Sequence, residues 1–324
     1  MSTKDLRIVF MGTPEFAVES LRALINEGQN IVGVVTNTDK PTGRGQILKP
    51  SPVKVFAEEN GIEVLQPANL KSDDFVSRLR QLKADLQVVV AFRILPDVVW
   101  NMPRFGTFNL HASLLPDYRG AAPINWAIIN GETVTGVSTF FIDHDIDTGK
   151  IIFQEKVSIK KDESAGELHE RLMKTGARLV VKTVKAISTG DYKTTDQSTL
   201  LRNGEIKKAP KIYKEDCKIN WYNNITDLYN FIRGLSPYPA AWTELISETN
   251  KILSVKIYES QIIKTEHKTP VGKIESDGRS YLRIAVNGGH LNLTKLQIAG
   301  KNKLDIKEFL KGFKNPEHYK LNLK

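Results

Sequence analysis

Hydrophobic positions in the first third of the chain fall into continuous runs rather than alternating ones. LRIVFMG, ending at Gly12, then NIVGVVTN and LQVVVAF, carry almost no polar interruption, the pattern of parallel strands buried on both faces. Between them the apolar spacing is helical. Thr13-Pro14-Glu15 offers a hydroxyl cap, a proline for the first helical position and an acid for the first turn, so a helix is expected to run to about Gly28. Ser51 to Asn60 and SDDFVSRLRQL, with Ser72 as cap, read as two more helices, and EVLQP as a short strand. Strand, helix and strand at these lengths predict right-handed βαβ units. Gly12 stands alone without G-x-G-x-x-G, so it serves a tight strand-to-helix turn rather than a dinucleotide.

Further on, KIIFQEKVSI reads as a strand. From Ser164 a long helix follows, with Leu168, Leu172, Leu179 and Val180 near helical spacing and His169 as a surface or packing residue. After Trp221 the pattern changes. The helix-like DLYNFIRGL and the segment GLSPYPAAW lead into TELI, ILSVKIYES, VGKIES, YLRIAV and HLNLTKLQI, short strands separated by Gly, Asn and Asp. These fit a small antiparallel barrel of OB type. The expected organisation is a Rossmann-like α/β domain with a mostly parallel sheet over 1–193, a basic linker over 194–212, and an OB-like β-barrel domain over 213–324.

Composition sharpens this division. Residues 1–200 hold 24 Lys+Arg and 24 Asp+Glu, whereas residues 201–324 hold 22 against 13, so the second part carries the whole net charge of +9. A basic module joined to a neutral one points to a polyanion, met through phosphates and shape, because no RNA-recognition aromatic signature or zinc knuckle is present. Cys217 is the sole cysteine, which excludes an intrachain disulfide and fits a reducing compartment. No apolar run approaches the roughly 20 residues of a membrane span, and MSTKDLR passes into a strand without a signal-type segment. A cytoplasmic, soluble monomer without membrane contact is expected.

The stretch from Phe105 to Gly149 concentrates the chemistry. Asn109 and His111 lie two apart on a strand and so share a face. Pro116, Gly120 and Pro123 then break the chain into a turn-rich loop, and the strand GVSTFFI feeds the acidic turn Asp143-His144-Asp145-Ile146-Asp147-Thr148-Gly149. If the two strands are neighbours, a carboxylate of that turn reaches His111. An amide, an imidazole and a carboxylate, with no serine or cysteine nucleophile nearby, suit acyl transfer to an incoming amine. Amide and imidazolium hold a developing oxyanion, the carboxylate orients the imidazole, and the substrate brings the nucleophile. A metal hydrolase using His111, His144 and the aspartates is the competing reading, although neither histidine sits in an H-E-x-x-H spacing. A non-enzymatic RNA binder would explain the charge but not these three groups.

Asn109-Leu110-His111, the loop Ser113-Leu114-Leu115-Pro116 and the turn Asp147-Thr148-Gly149 resemble the hallmark of the folate-dependent formyltransferases. RIVFMGTPEFAV, the basic stretch DKPTGRGQILKPSPVK and YRGAAPINW are similar to the members of that family that act on tRNA. The resemblance implies Asn109, His111 and Asp147 as catalytic residues, 10-formyltetrahydrofolate as donor and no metal. It places the pterin beside Phe92, Arg93, Ile94 and Leu95 and beside Ser113, Leu114, Leu115 and Pro116. Where this chain has Phe92-Arg93, the tRNA-acting members often have tyrosine-glycine. The implied acceptor is methionyl initiator tRNA, formylated on its α-amine for translation initiation, with Lys40, Arg44, Lys49, Lys207 and Lys208 as RNA contacts. A sister enzyme that formylates a nucleotide sugar or another small amine is the alternative. Asp39 to Pro50, crowded with proline and glycine, is expected to be an irregular exposed loop.

Overall fold

The computed structural model describes residues 6–42, 47–201 and 205–323. Arg44 therefore lies outside the described residues. The chain divides into two compact units, one made of Met1–Gly120, Val134–Ser158 and His169–Ala209, the other of Ala121–Thr133, Ile159–Leu168 and Pro210–Lys324.

The first unit is built on β1 (Arg7–Gly12), β2 (Asn30–Val35), β3 (Val64–Leu65), β4 (Leu86–Val90), β5 (Thr107–His111), β6 (Val134–Phe141) and β7 (Ile151–Ser158). Their order across the sheet is β7-β6-β5-β4-β1-β2-β3. The five strands from β5 to β3 run parallel, and β6 and β7 are added antiparallel at one side. The continuous apolar runs explain the centre: Ile8, Val9, Phe10 and Met11 are fully buried, as is all of β4. Each such side chain removed from water contributes about 1.5–3 kcal/mol.

Helices α1 (Glu15–Asn26), α2 (Pro52–Glu59) and α3 (Asp73–Gln81) occupy the expected crossovers. Their caps differ in detail from expectation. Ser51 Oγ accepts from Lys54 N, a working cap. Pro14 takes the cap position of α1 in place of Thr13, whose hydroxyl is buried without a partner among the described residues, and Ser72 Oγ donates to Asn69 O instead of capping α3. The prolines and glycines of Asp39 to Pro50 also misled. Lys40–Thr42 and Ile47–Lys49 pair as an antiparallel ribbon, which tolerates Pro41 because a two-stranded ribbon is all edge.

The long helix Ala165–Thr189 opens with a reciprocal capping box, Ser164 Oγ accepting from Glu167 N and Glu167 Oε2 accepting from Ser164 N. Those bonds hold the Glu167 carboxyl below its usual range. Leu172, Leu179 and Val180 are buried, and Thr183 Oγ1 meets Thr139 Oγ1 of β6 at 2.9 Å. Gly176 lets the helix pass close behind β5, since a Cβ there would lie 2.7 Å from Leu110 Cδ2. His169 packs edge-on to Phe16.

The second unit carries the antiparallel strands read from the sequence: Ala241–Ile246, Ile252–Lys264, Ile274–Ser276, Leu282–Val286 and Gly289–Ile298, joined by Lys320–Leu321 at one edge. Gly272 ahead of one edge strand lies beside Leu323 after the other, so the sheet curls almost shut into an OB-like barrel. Trp221, Val255, Ile257, Ile284, Leu293 and Phe309 fill it. The helix Ile225–Leu235 packs on the helix Pro123–Ile129, where Gly234 admits Ile129. That second helix follows the chemical loop in sequence but groups with the barrel unit. Among the described residues no helix is long and apolar enough to cross a membrane.

Candidate active site

β5 lies between β4 and β6, with Asn109 opposite Val89 and Phe140, and His111 opposite Ser138. The two strands that carry the polar groups are thus antiparallel neighbours, and the acidic turn at the end of β6 comes back to His111. Asp147 Oδ2 stands 3.8 Å from His111 Nδ1, with both side chains largely buried.

The loop after His111 is stitched from beneath by two side chains, that of the buried Ser138 and that of the exposed Gln154. Ser138 Oγ donates to Ser113 O (2.6 Å) and accepts from Leu115 N, while Gln154 Nε2 donates to Leu115 O and to Ser138 Oγ. Ser113 Oγ donates to Asp117 O at 2.6 Å. This fixes the approach to Tyr118, a non-glycine residue at φ 61°. Its carbonyl is thereby set 2.8 Å from His111 Nε2.

A second tie comes from much later in the chain. Tyr118 N donates to Lys207 O, Lys207 N donates to Asp117 Oδ1, and Arg119–Gly120 pairs in parallel with Lys208–Ala209. Gly120 is required there, because at φ 124° a Cβ would come within 2.4 Å of Ala209 O. Its N–H donates to Asp147 Oδ2 at 3.0 Å. Asp147 itself is left-handed, φ 57°, in a turn where Thr148 Oγ1 donates to Asp143 Oδ1 and Asp145 O. Gly149 closes the turn so tightly that a Cβ would fall 1.7 Å from Phe141 O.

These contacts fix the chemistry of the imidazole. A carbonyl only accepts, so Nε2 carries the proton and Nδ1 is the nitrogen that can gain or lose one. The gap to Asp147 is longer than a direct hydrogen bond, which leaves Nδ1 free in the neutral ring and paired once protonated. The half-buried amide of Asn109 has no partner among the described residues. The site therefore offers a base with a waiting counter-charge and an uncommitted N–H donor on one strand end.

Of the residues expected around the pterin, Arg93, Ile94 and Leu95 line a cleft of about 760 Å³ with Ala68–Lys71 and Pro96–Val98. Ile94 is 73 % exposed and Val98 46 %, an apolar floor open to water. Arg93 spans to Ala68 O and Pro67 O, but its Nε is buried without a partner among the described residues, and burial lowers its guanidinium pKa. Phe92 packs into the core beneath. Leu115 is buried with Phe140 and Ile151, and Leu114 lies against Gly136. Ser113 to Pro116 thus shape the loop rather than line that cleft. His144 turns to Asp97 (3.5 Å) and lies edge-on to Trp100, and among the described residues no group of three His, Cys, Asp or Glu is arranged to hold a metal. Lys40, Lys49, Lys207 and Lys208 are all exposed.

Sequence reasoning did not find Ser138, Gln154, Gln197 or the Tyr118 carbonyl. A polar residue within an apolar strand was the available signal for Ser138. Nothing local marked the others.

Residues 6–184 match the formyl transferase family, and residues 211–314 match the formyl transferase C-terminal domain. The chain is 55 % identical over 321 residues to a methionyl-tRNA formyltransferase of Parabacteroides distasonis, covering 98 % of this chain and 99 % of the relative. It is 52 % identical over 322 residues to that of Bacteroides thetaiotaomicron, covering 99 % and 100 %. Among solved structures, WlaRD, a sugar 3N-formyl transferase crystallised with dTDP and 5-N-formyl-THF, shares the fold with a TM-score of 0.62 at 23 % identity, over 92 % of this chain and 99 % of that one. With identity at this level sustained along nearly its whole length, the chain belongs to the methionyl-tRNA formyltransferases of the formyl transferase family.

Proposed function

We propose that the chain transfers the formyl group of 10-formyltetrahydrofolate to the α-amine of methionyl initiator tRNA, and that Asn109, His111 and Asp147 carry the transfer. The observation that bears most weight is the position of His111, with Nε2 committed to Tyr118 O and Nδ1 facing Asp147. As the amine attacks the formyl carbon, the Asn109 amide donates to the oxygen that gains charge. His111 takes the surplus amine proton at Nδ1 and hands it to the nitrogen that departs from the formyl carbon. Asp147 holds the imidazolium while the proton is in transit. When bound, the folate supplies the one-carbon unit and that departing nitrogen. The apolar floor of Ile94 and Val98 and the unpartnered Arg93 Nε suit a flat heterocycle with polar edges, so Arg93, Ile94 and Leu95 would hold it.

The RNA reading rests on charge placement. Lys40 and Lys49 stand directly opposite each other in their ribbon, an unfavourable pairing that a phosphate would relieve. Lys207 and Lys208 belong to the segment that clamps Tyr118 to Gly120, so cations sit one residue from the groups that hold His111 and Asp147. Arg44 and the net charge of +9 in residues 201–324 extend this to the rest of a tRNA. A cytoplasmic monomer would suffice. Labelled formyl transfer from 10-formyltetrahydrofolate to methionyl-tRNA, against a dTDP-amino sugar as competing acceptor, tests the reading. Turnover with the sugar and none with the RNA would replace it by the sister activity.

A further inference from the structure

Gln197 is fully buried in a stretch that contributes no regular strand to the sheet, and both ends of its amide are used. Its Nε2 donates to Asp147 O (2.9 Å) and to Gly149 O (2.8 Å), the two carbonyls on either side of Thr148. Its Oε1 accepts from Arg119 Nε (3.0 Å) and Nη2 (2.7 Å). The residue after Arg119 is Gly120, whose N–H holds Asp147 Oδ2. The contacts form a closed ring: carboxylate to Gly120, Gly120 to Arg119 through the peptide bond, Arg119 to Gln197, and Gln197 back to the Asp147 carbonyl. All lie in the first unit. Only an amide of this length completes the ring, because the position must donate to two carbonyls and accept from a guanidinium.

We infer that Gln197, with Arg119 as its partner, is a positioning residue for catalysis: it fixes the left-handed Asp147 turn so that the carboxylate stays aimed at His111 Nδ1. The inference rests on the reading of Asp147 as the group that serves His111. Gln197 touches no reacting atom, so its loss leaves substrate affinity alone and lowers the rate of transfer. Misaiming a catalytic group by an ångström costs on the order of 100-fold in rate.

A double-mutant cycle on the full chain separates the possibilities, with kcat and KM measured for methionyl-tRNA and 10-formyltetrahydrofolate. Gln197→Met keeps the length and removes the polar atoms. Alone it is expected to lower kcat about 10–100-fold with both KM values within about 2-fold of wild type. In an Asp147→Asn background it is expected to add less than about 2-fold, since the group it positions is already disabled. Full activity of Gln197→Met beside an inactive Asp147→Asn would overturn the inference while sparing the reading of Asp147. Losses that multiply in the double mutant would overturn it as well, by showing that Gln197 acts through the fold at large. Wild-type turnover of Asp147→Asn would remove both ideas together. Should Gln197→Met fail to fold, Gln197→Glu, which keeps the acceptor for Arg119 but loses both donors, carries the same cycle.

Discussion

Replacing Asp147 by asparagine removes one charge and leaves the shape, the left-handed backbone and an oxygen to accept from Gly120 N. What is lost is the attraction between a carboxylate and an imidazolium 3.8 Å apart. At the effective dielectric of about 20 that suits partly buried pairs, Coulomb's law gives about 4 kcal/mol across that distance. Both side chains are mostly shielded from water, so solvent screening removes only part of it. The neutral ring feels none of this attraction, and the ring that has accepted the amine proton feels all of it. The loss therefore falls on the transfer step and amounts to about 100- to 1000-fold in kcat. KM for methionyl-tRNA stays within a few-fold and the melting temperature within about 3 °C. Steady-state formylation with labelled donor, run beside thermal unfolding, measures both. A folded Asp147→Asn protein with kcat within 3-fold of wild type would refute the account of the proton's path.

Lys40→Ala and Lys49→Ala each remove one member of a like-charged cross-strand pair. Stability should hold or rise slightly, while KM for the tRNA increases and its log–log dependence on salt loses about one unit of slope per lost phosphate contact; an unchanged slope would discount the ribbon as an RNA contact. Gly149→Ala drives a Cβ into Phe141 O. Destabilisation of about 3 kcal/mol in denaturant titration with a parallel fall in activity is expected, whereas the same change at Gly300, in open space at φ 77°, should cost far less. Tyr229 is half-buried, and burial, followed by the bond its hydroxyl donates to Asp162, pushes its pKa up to about 12. The folded state favours the neutral phenol, so this stabilisation is complete below the unfolded value near 10 and fades as pH rises through about 12. After screening it is worth about 1 kcal/mol, and urea midpoints at pH 8 and pH 11 should converge for wild type and Tyr229→Phe.

How far the sequence reaches depends on the range of the interaction. Buried parallel strands announce themselves because both faces must be apolar, so β1, β2 and β4 were legible apart from their ends, as were most strands of the barrel, although Ile252–Lys264 runs beyond the expected ILSVKIYES and Lys320–Leu321 was not read. Asn109 and His111 were legible because strand periodicity is local, and a carboxylate of the acidic turn because that turn follows the neighbouring strand, with Asp147 singled out among its aspartates by the resemblance alone. Gln197 meets Arg119 across 78 residues of chain, and no periodicity encodes such a meeting. The Tyr118 carbonyl is invisible for another reason, since every residue has one and only φ decides where it points. The Lys40–Lys49 ribbon was hidden behind Pro41 and the glycines, which mark hairpins as readily as irregular loops.

The clamp of residues 207–209 on Tyr118 to Gly120 has a consequence for how the enzyme comes into being on the ribosome. All seven strands of the first sheet are complete once Ser158 has been made, and its long helix once Thr189 has been made. A nascent chain at that stage holds Asn109, His111 and Asp147 but lacks the amide at position 197 and the backbone that grips the histidine loop. The contacts around these three groups are thus completed only when some twenty further residues, to Ala209, have been added.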